Sequence, residues 1–296
     1  MSQRDLADIL LKFEKPPARL VSLVPSYTDS LYSLSMGKTI VGVTDYCPVA
    51  VSDLGQPVRV GGPKTINVED VLKLQPDLVL ANFEENTREV VEALEAKDVP
   101  VWVSFPRTVE ETVSFLWGLV DLFRSQPASL SVKMIDSEVD WAQQVANDTP
   151  RRRYFCPVWQ EYTADDRLWW MTFNDDTYSG NLLRLVGGEN IFAGRERRYP
   201  LDADLGLVSA EAVGDRDRRY PRVTVDEVLA GEPEIVLLPD EPFLFDESGE
   251  SAIAALLADT PAGKSGKIFR VDGKLITWCG TMLGKALAEL PTLFAE

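Results

Sequence analysis

The sequence predicts an α/β protein of two Rossmann-like lobes, each with a parallel sheet, joined by a long bracing helix with a ligand cleft between the lobes. Three observations lead there. A segment from Asn67 to Leu80 returns without a gap at Thr224 to Leu237, with six identities: three Val pairs, two Leu pairs and one Pro pair. Each copy reads as a short helix with acids in its first turn, a Pro turn, and a buried apolar strand. Around both copies, short apolar runs alternate with amphipathic ones, the mark of parallel strands and covering helices. Between them lies a stretch of helical periodicity from Ser129 to Val145 that contains no Gly. One helix-into-strand unit per half is too widely spaced for a solenoid, whose period is about 20–50 residues. The lobes are expected over 1–107 and 151–296, with 108–150 as the helical linker.

The elements follow in order. Arg19 to Val24 is a strand running into Pro25-Ser26, and a helix from Tyr27 to Met36 closes at Gly37. Thr39 to Val43 is a strand ending in Thr44-Asp45-Tyr46-Cys47-Pro48, and Gly61-Gly62-Pro63-Lys64 is a turn. The first repeat copy supplies the strand Leu78 to Ala81. A helix over 84–96 and a strand over 101–104, ending at Phe105-Pro106, complete the lobe. Thr108, with Glu111 three residues on, caps a helix to Phe123. Leu130, Met134, Ile135, Val139, Trp141, Ala142 and Val145 recur at helical spacing, and some 18 residues at about 1.5 Å each give a rod of about 27 Å. The second lobe opens with a strand from Tyr154 to Trp159 and continues with a helix from Tyr178 to Val186. A charged, loop-like stretch from Arg195 to Tyr220 follows. After the second repeat copy come a helix near 251–257, a strand near 267–271 and a helix over 280–290. Trp169 and Trp170 are adjacent, so one at most is expected to face inward on a strand.

Composition limits the function. The 296 residues carry 30 Lys and Arg against 47 Asp and Glu, a net charge of −17. Nucleic acid and anionic membrane surfaces are thereby excluded as partners. No run of about 18 apolar residues exists, so no membrane insertion is expected. The opening MSQRDLADILLKFEKPP lacks an apolar export stretch, which points to a cytoplasmic protein. Cys47, Cys156 and Cys279 are odd in number and scattered, as suits reduced thiols. Histidine is absent altogether, which removes the commonest transition-metal ligand and most acid–base schemes. Gly263-Lys264-Ser265 is no phosphate loop, because Ala258 stands where the pattern needs a Gly.

Several segments, taken together, resemble the periplasmic-binding superfamily of the cobalamin and ferric-siderophore type, in its helical backbone metal receptor branch. Ser22-Leu23-Val24-Pro25-Ser26-Tyr27-Thr28-Asp29 carries the likeness first. Gly42 to Pro48, Gly61 to Lys64 and Ala81 to Asn86 extend it through the first half. Glu189 to Phe192, Arg219-Tyr220-Pro221, Asp240 to Phe243 and Trp278-Cys279-Gly280 carry it through the second. Cys279 and Met282 stand where the family often has an aromatic or His and an Arg.

The resemblance implies a solute-binding protein, periplasmic or at the cell surface, that serves an ABC permease, with one surface acid per lobe docking on it. Glu69 and Asp226 match those positions, and both also suit plain helix starts. Aromatics cluster where strands end, which is where parallel α/β sheets bind ligands. The candidate ligand-binding set is Tyr27, Tyr46, Phe83, Glu84, Phe105, Trp159, Tyr220, Glu241, Phe243 and Trp278, and no catalytic or metal-ligating residue is expected. Glu84, Glu85, Asp240 and Glu241 lie in equivalent loops, where helix-start and ligand-contact roles compete. A ligand that brings its own coordinated metal needs no protein His, and net charge with Met282 turns the choice from an anionic iron chelate toward a corrinoid. No intrinsic cofactor is expected, and a monomer is. The competing class is a cytosolic enzyme or cofactor-handling protein that reuses the fold.

Overall fold

A computed structural model describes residues 6–50, 56–148 and 150–295. The chain divides into two compact units. One comprises the chain through Glu138 with Trp278–Gly284, and the other Val139–Thr277 with Lys285–Glu296. This differs from a linker over 108–150 and an unbroken lobe over 151–296. The helix Val109–Phe123 buries Val109, Phe115, Leu116 and Leu119 and so belongs to the first unit. The next helix, Gln126–Asp148, contains the boundary. The two helices are separate because Arg124 takes a left-handed conformation, φ 50°.

The first unit is built on five parallel strands in the order Val58–Arg59, Ile40–Val43, Leu20–Ser22, Leu78–Asn82, Val101–Ser104. The chain starts in the middle strand, winds to one edge, then returns to wind to the other. Helices at Pro25–Ser33, Val68–Lys73 and Arg88–Glu95 connect the strands. Leu78 through Ala81 are fully buried, as expected of a strand covered on both faces. Ahead of them all lies a short helix, Leu6–Leu10; the first five residues of the amino-terminal segment lie outside the described residues.

The second unit has a four-stranded parallel sheet, Gly188–Asn190, Arg152–Phe155, Ile235–Pro239, Ile268–Val271, wound the same way. It also holds an element the sequence reading missed. Trp159–Tyr162, Leu168–Met171 and Arg222–Thr224 form an antiparallel sheet of three strands. Trp159 thus begins a strand instead of ending one. Trp169 and Trp170 are both buried, at 5% and 0% exposure, so this central strand is covered on both faces. The stretch from Arg195 to Tyr220 is ordered around the buried carboxylate of Asp204. It pairs with Arg195 at 2.9 Å and Arg222 at 2.9 Å, and accepts from the Arg198 N–H at 2.9 Å.

The internal repeat is a repeat of structure. Val68–Lys73 leads into Leu78–Asn82 as Val225–Gly231 leads into Ile235–Pro239. Between helix and strand, Gln75 and Glu232 both take left-handed backbone, φ 47° and 43°. The acid that follows each repeat Pro then grips the neighbouring strand. The Asp77 carboxylate accepts the Ala18 and Arg19 N–H groups, each at 2.8 Å, just ahead of the strand Leu20–Ser22. Glu234 accepts the Arg153 N–H at 3.0 Å and pairs with Arg152 at 3.3 Å in the matching strand.

The Arg153 N–H and the Arg152 guanidinium hold the Glu234 carboxyl below its ordinary value. Its contribution is therefore full above that ordinary value and is lost as pH falls through the depressed one. Glu234→Gln is expected to cost about 1–2 kcal/mol in urea unfolding at pH 7, with the difference from wild type shrinking by pH 3.

Candidate functional site

Both parallel sheets reverse their winding at a central strand pair, and ligands of such sheets bind outside the carboxyl ends of the strands at that point. In the first unit these ends belong to Leu20–Ser22 and Leu78–Asn82.

Tyr27, on the helix that follows the first of them, corrects the sequence reading. It is fully buried, with its ring 4.3 Å from that of Phe115. Its hydroxyl sits 2.5 Å from Ser104 Oγ and accepts from Asn82 Nδ2 at 2.9 Å. Burial pushes the phenol well above its ordinary value, so it stays neutral. Tyr27 ties strand ends together and presents no exposed surface.

Two candidate aromatics of this unit, Phe83 and Tyr46, are exposed, and Phe105 is half-buried. Phe83 is 41% exposed and lies 5.3 Å from Phe105, with the Arg107 guanidinium 5.9 Å from the Phe105 ring. Tyr46 is 74% exposed beside Gly62. Glu84 and Glu85 do not start a helix as one reading held; the next helix begins at Arg88 with Thr87 as its cap. Their N–H groups donate to Asn82 Oδ1 at 2.7 and 3.2 Å, and Lys64 donates to the Glu84 carbonyl. Asn86 closes the loop, accepting from the Asn82 N–H at 2.9 Å and donating to the Leu23 and Pro63 carbonyls. Asn82 and Asn86 are the positioning residues that the sequence reading passed over, although both lay within a quoted motif. Asn at the end of a strand, with a second Asn four residues on, was the available signal.

Trp278, half-buried, joins the same unit. Its neighbour Cys279 contacts Ser26 Oγ at 3.9 Å and feels Glu85 and, less, Glu84. Gly280, at φ 114°, sits where a side chain would strike Ser30 Oγ, which accepts the Thr281 N–H at 3.0 Å. Burial, then Glu85, pushes the Cys279 thiol up to about 12. Burial likewise raises Cys47 and, further, Cys156. No group of His, Cys, Asp and Glu suited to a metal ion occurs among the described residues.

In the second unit the reversal lies between Arg152–Phe155 and Ile235–Pro239. Just past the two strands, the 40%-exposed Trp159 meets Phe243 edge-on at 5.5 Å. Phe243 stacks in turn on the buried Phe245 at 4.8 Å. Tyr220 is half-buried under the Arg219 guanidinium, 5.4 Å away, which Asp217 holds at 2.6 Å. Glu241, half-buried, precedes Pro242 in a cis bond. Its backbone oxygen would lie 2.6 Å from any Cβ on Gly273, so Gly is required there, and the Gly273 N–H donates to Asp240 at 2.8 Å. A cavity of about 210 Å³ lined by Arg152, Glu234 and Lys267 lies at the opposite ends of these strands, too small and too charged for a bulky apolar ligand.

Glu69 and Asp226 occupy the same place in the two repeat copies. Each is exposed, one residue inside the start of its helix, behind the caps Asn67 and Thr224.

A sequence model of the family described as periplasmic binding protein matches residues 20–275. The chain belongs to that family. A vitamin B12-binding protein of Yersinia pestis (strain Pestoides F) is 23% identical over 284 residues, covering 94% of this chain and 89% of that one. Among solved structures, the periplasmic vitamin B12-binding protein of Vibrio cholerae superposes with a TM-score of 0.71 at 20% identity, covering 94% and 96% of the two chains. The apo periplasmic heme-binding protein of a Roseiflexus species gives 0.70 at 20% identity, covering 93% and 97%. The family is one of binding proteins. These relatives lend no support to the cytoplasmic placement expected from the first residues. Among the described residues no helix is long and apolar enough to cross a membrane.

A thiol reacts as its thiolate. All three cysteines, buried and raised, should therefore resist a thiol reagent at pH 8 in the native protein and react together once urea unfolds it. A thiol titrating fast in the native state would show that one of these sites is open.

Proposed function

We propose that this chain binds a bulky metal chelate, a corrinoid before all others, and delivers it to an ABC-type permease. The observation that carries the reading is an exposed ring against a half-buried one at the carboxyl ends of both parallel sheets, Phe83 with Phe105 and Trp159 with Phe243. Tyr46, Tyr220 and Trp278 are further aromatics of the same two units, and Glu84 and Glu241 neighbour Phe83 and Phe243 in the chain. Rigid rings with few rotatable bonds suit the wide apolar faces of a macrocycle. With no histidine in the chain, the metal must arrive already coordinated. The vitamin B12-binding relatives, aligned along nearly the whole chain, support the corrinoid in particular.

Calorimetry with cyanocobalamin tests the ligand. Trp159→Ala with Tyr220→Ala should weaken binding by about 2–4 kcal/mol if both rings are central anchors. Absence of heat at every accessible concentration removes the corrinoid, and tight binding of free zinc removes the wider claim of a metal already chelated. The role is read as binding rather than catalysis. A bound corrinoid whose spectrum changes with turnover would favour the enzyme or cofactor-handling alternative.

Glu69 and Asp226 are assigned to the permease. Charge reversal of both should abolish ligand uptake by cells while leaving the affinity for free ligand unchanged. Unaltered uptake would reduce the two acids to helix-start stabilisers. Fractionation decides the compartment. Release with periplasmic markers is the outcome if the protein works as its relatives do, and recovery with cytosolic markers restores the placement read from the sequence.

A further inference from the structure

The helix Gln126–Asp148 carries its apolar residues on two faces instead of one. Val132, Ile135 and Val139 are buried, at 0, 8 and 3% exposure. Leu130, Met134, Trp141 and Val145 are exposed, at 68, 66, 68 and 43%. At 3.6 residues per turn these four fall within about 60° of each other, on the side opposite the buried three. Isolated exposed apolar residues are ordinary, whereas a stripe of four with a Trp marks an interaction surface.

We propose that this stripe pairs with the same stripe of a second copy of the chain, the two helices antiparallel. The spacing supports a two-fold partner. The intervals between the four residues are four, seven and four, symmetric about a point between Ser137 and Glu138. A second copy turned about an axis through that point sets Leu130 against the partner's Val145, and Met134 against the partner's Trp141. Such self-complementarity is what a two-fold interface requires. Charge differs between the flanks: on one, the exposed Glu138 comes within one residue of the level of the partner's Glu138 and opposes pairing, and on the other opposite charges meet. Lys133 and Asp140 lie on this second flank of the stripe, and the same rotation brings Lys133 within two residues of the level of the partner's Asp140, twice over. The stripe and its flanks offer roughly 500–600 Å² per copy, about 1,000–1,200 Å² in all, the lower end of specific interfaces. A weak, concentration-dependent dimer follows. It departs from the monomer expected from the sequence.

Sedimentation equilibrium of the full chain from 1 to 100 µM is expected to show the mass rising from one copy toward two. Met134→Glu with Trp141→Glu should hold it at one copy over the whole range with an unchanged melting curve, since both side chains are exposed. Lys133→Glu should weaken the dimer several-fold, and Lys133→Glu with Asp140→Lys should restore it. A single-copy mass at 100 µM overturns the proposal, as does a dimer indifferent to Met134→Glu with Trp141→Glu. Failure of the charge swap to restore pairing overturns the antiparallel register. Single-copy protein that co-sediments with lipid vesicles through Trp141 would give the stripe to a membrane and likewise end the proposal.

Discussion

The structure of each unit depends on a carboxylate at the amino end of its sheet. A parallel strand pair has no hairpin to set its register, so something else must fix where one strand begins against the next. Asp77 and Glu234 do this with charged hydrogen bonds to backbone N–H groups. They act from the same place in the repeat, after a left-handed residue and a Pro that turn the chain from helix into strand. Once the amino ends are level, the carboxyl ends emerge together, and the loops that follow them share one edge. The loops that carry Phe83 and Phe243 follow these strands at that edge.

Two layers of residues divide the work at that edge. Tyr27, Ser104, Asn82 and Asn86 form an inner frame in the first unit, hydrogen-bonded and largely closed to solvent. Phe83, Phe105 and Tyr46 stand on it. In the second unit Asp240 and Gly273 hold the loop on which Glu241 and Phe243 sit, and Asp217 steadies Arg219 beside Tyr220. The frame is polar and satisfied, while the outer layer is apolar and partly exposed.

Much of this was legible in the sequence. The repeat gave two similar units because helix, turn and strand each leave a local signature of acids, Pro and β-branched residues. The helix caps Asn67, Thr108 and Thr224 could be read, or nearly read, from spacing alone. Tertiary placement could not. Tyr27 looks like any aromatic after a strand, and Asn82 and Ser104, 55 and 77 residues away, show that its hydroxyl points inward. The antiparallel sheet was hidden because Leu168–Met171 buries both faces and shows no alternation. The central helix misled for the opposite reason. Its apolar residues have helical spacing, and spacing does not say which of two faces meets the core.

The separation of frame from surface bears on how such a protein changes over time. Tyr27, Asn82 and Asn86 fix the backbone whatever the exposed rings are. Phe83 or Tyr46 can therefore be exchanged without loosening the strand ends of the first unit. The exposed surface can thus change by single substitutions while the fold beneath it holds.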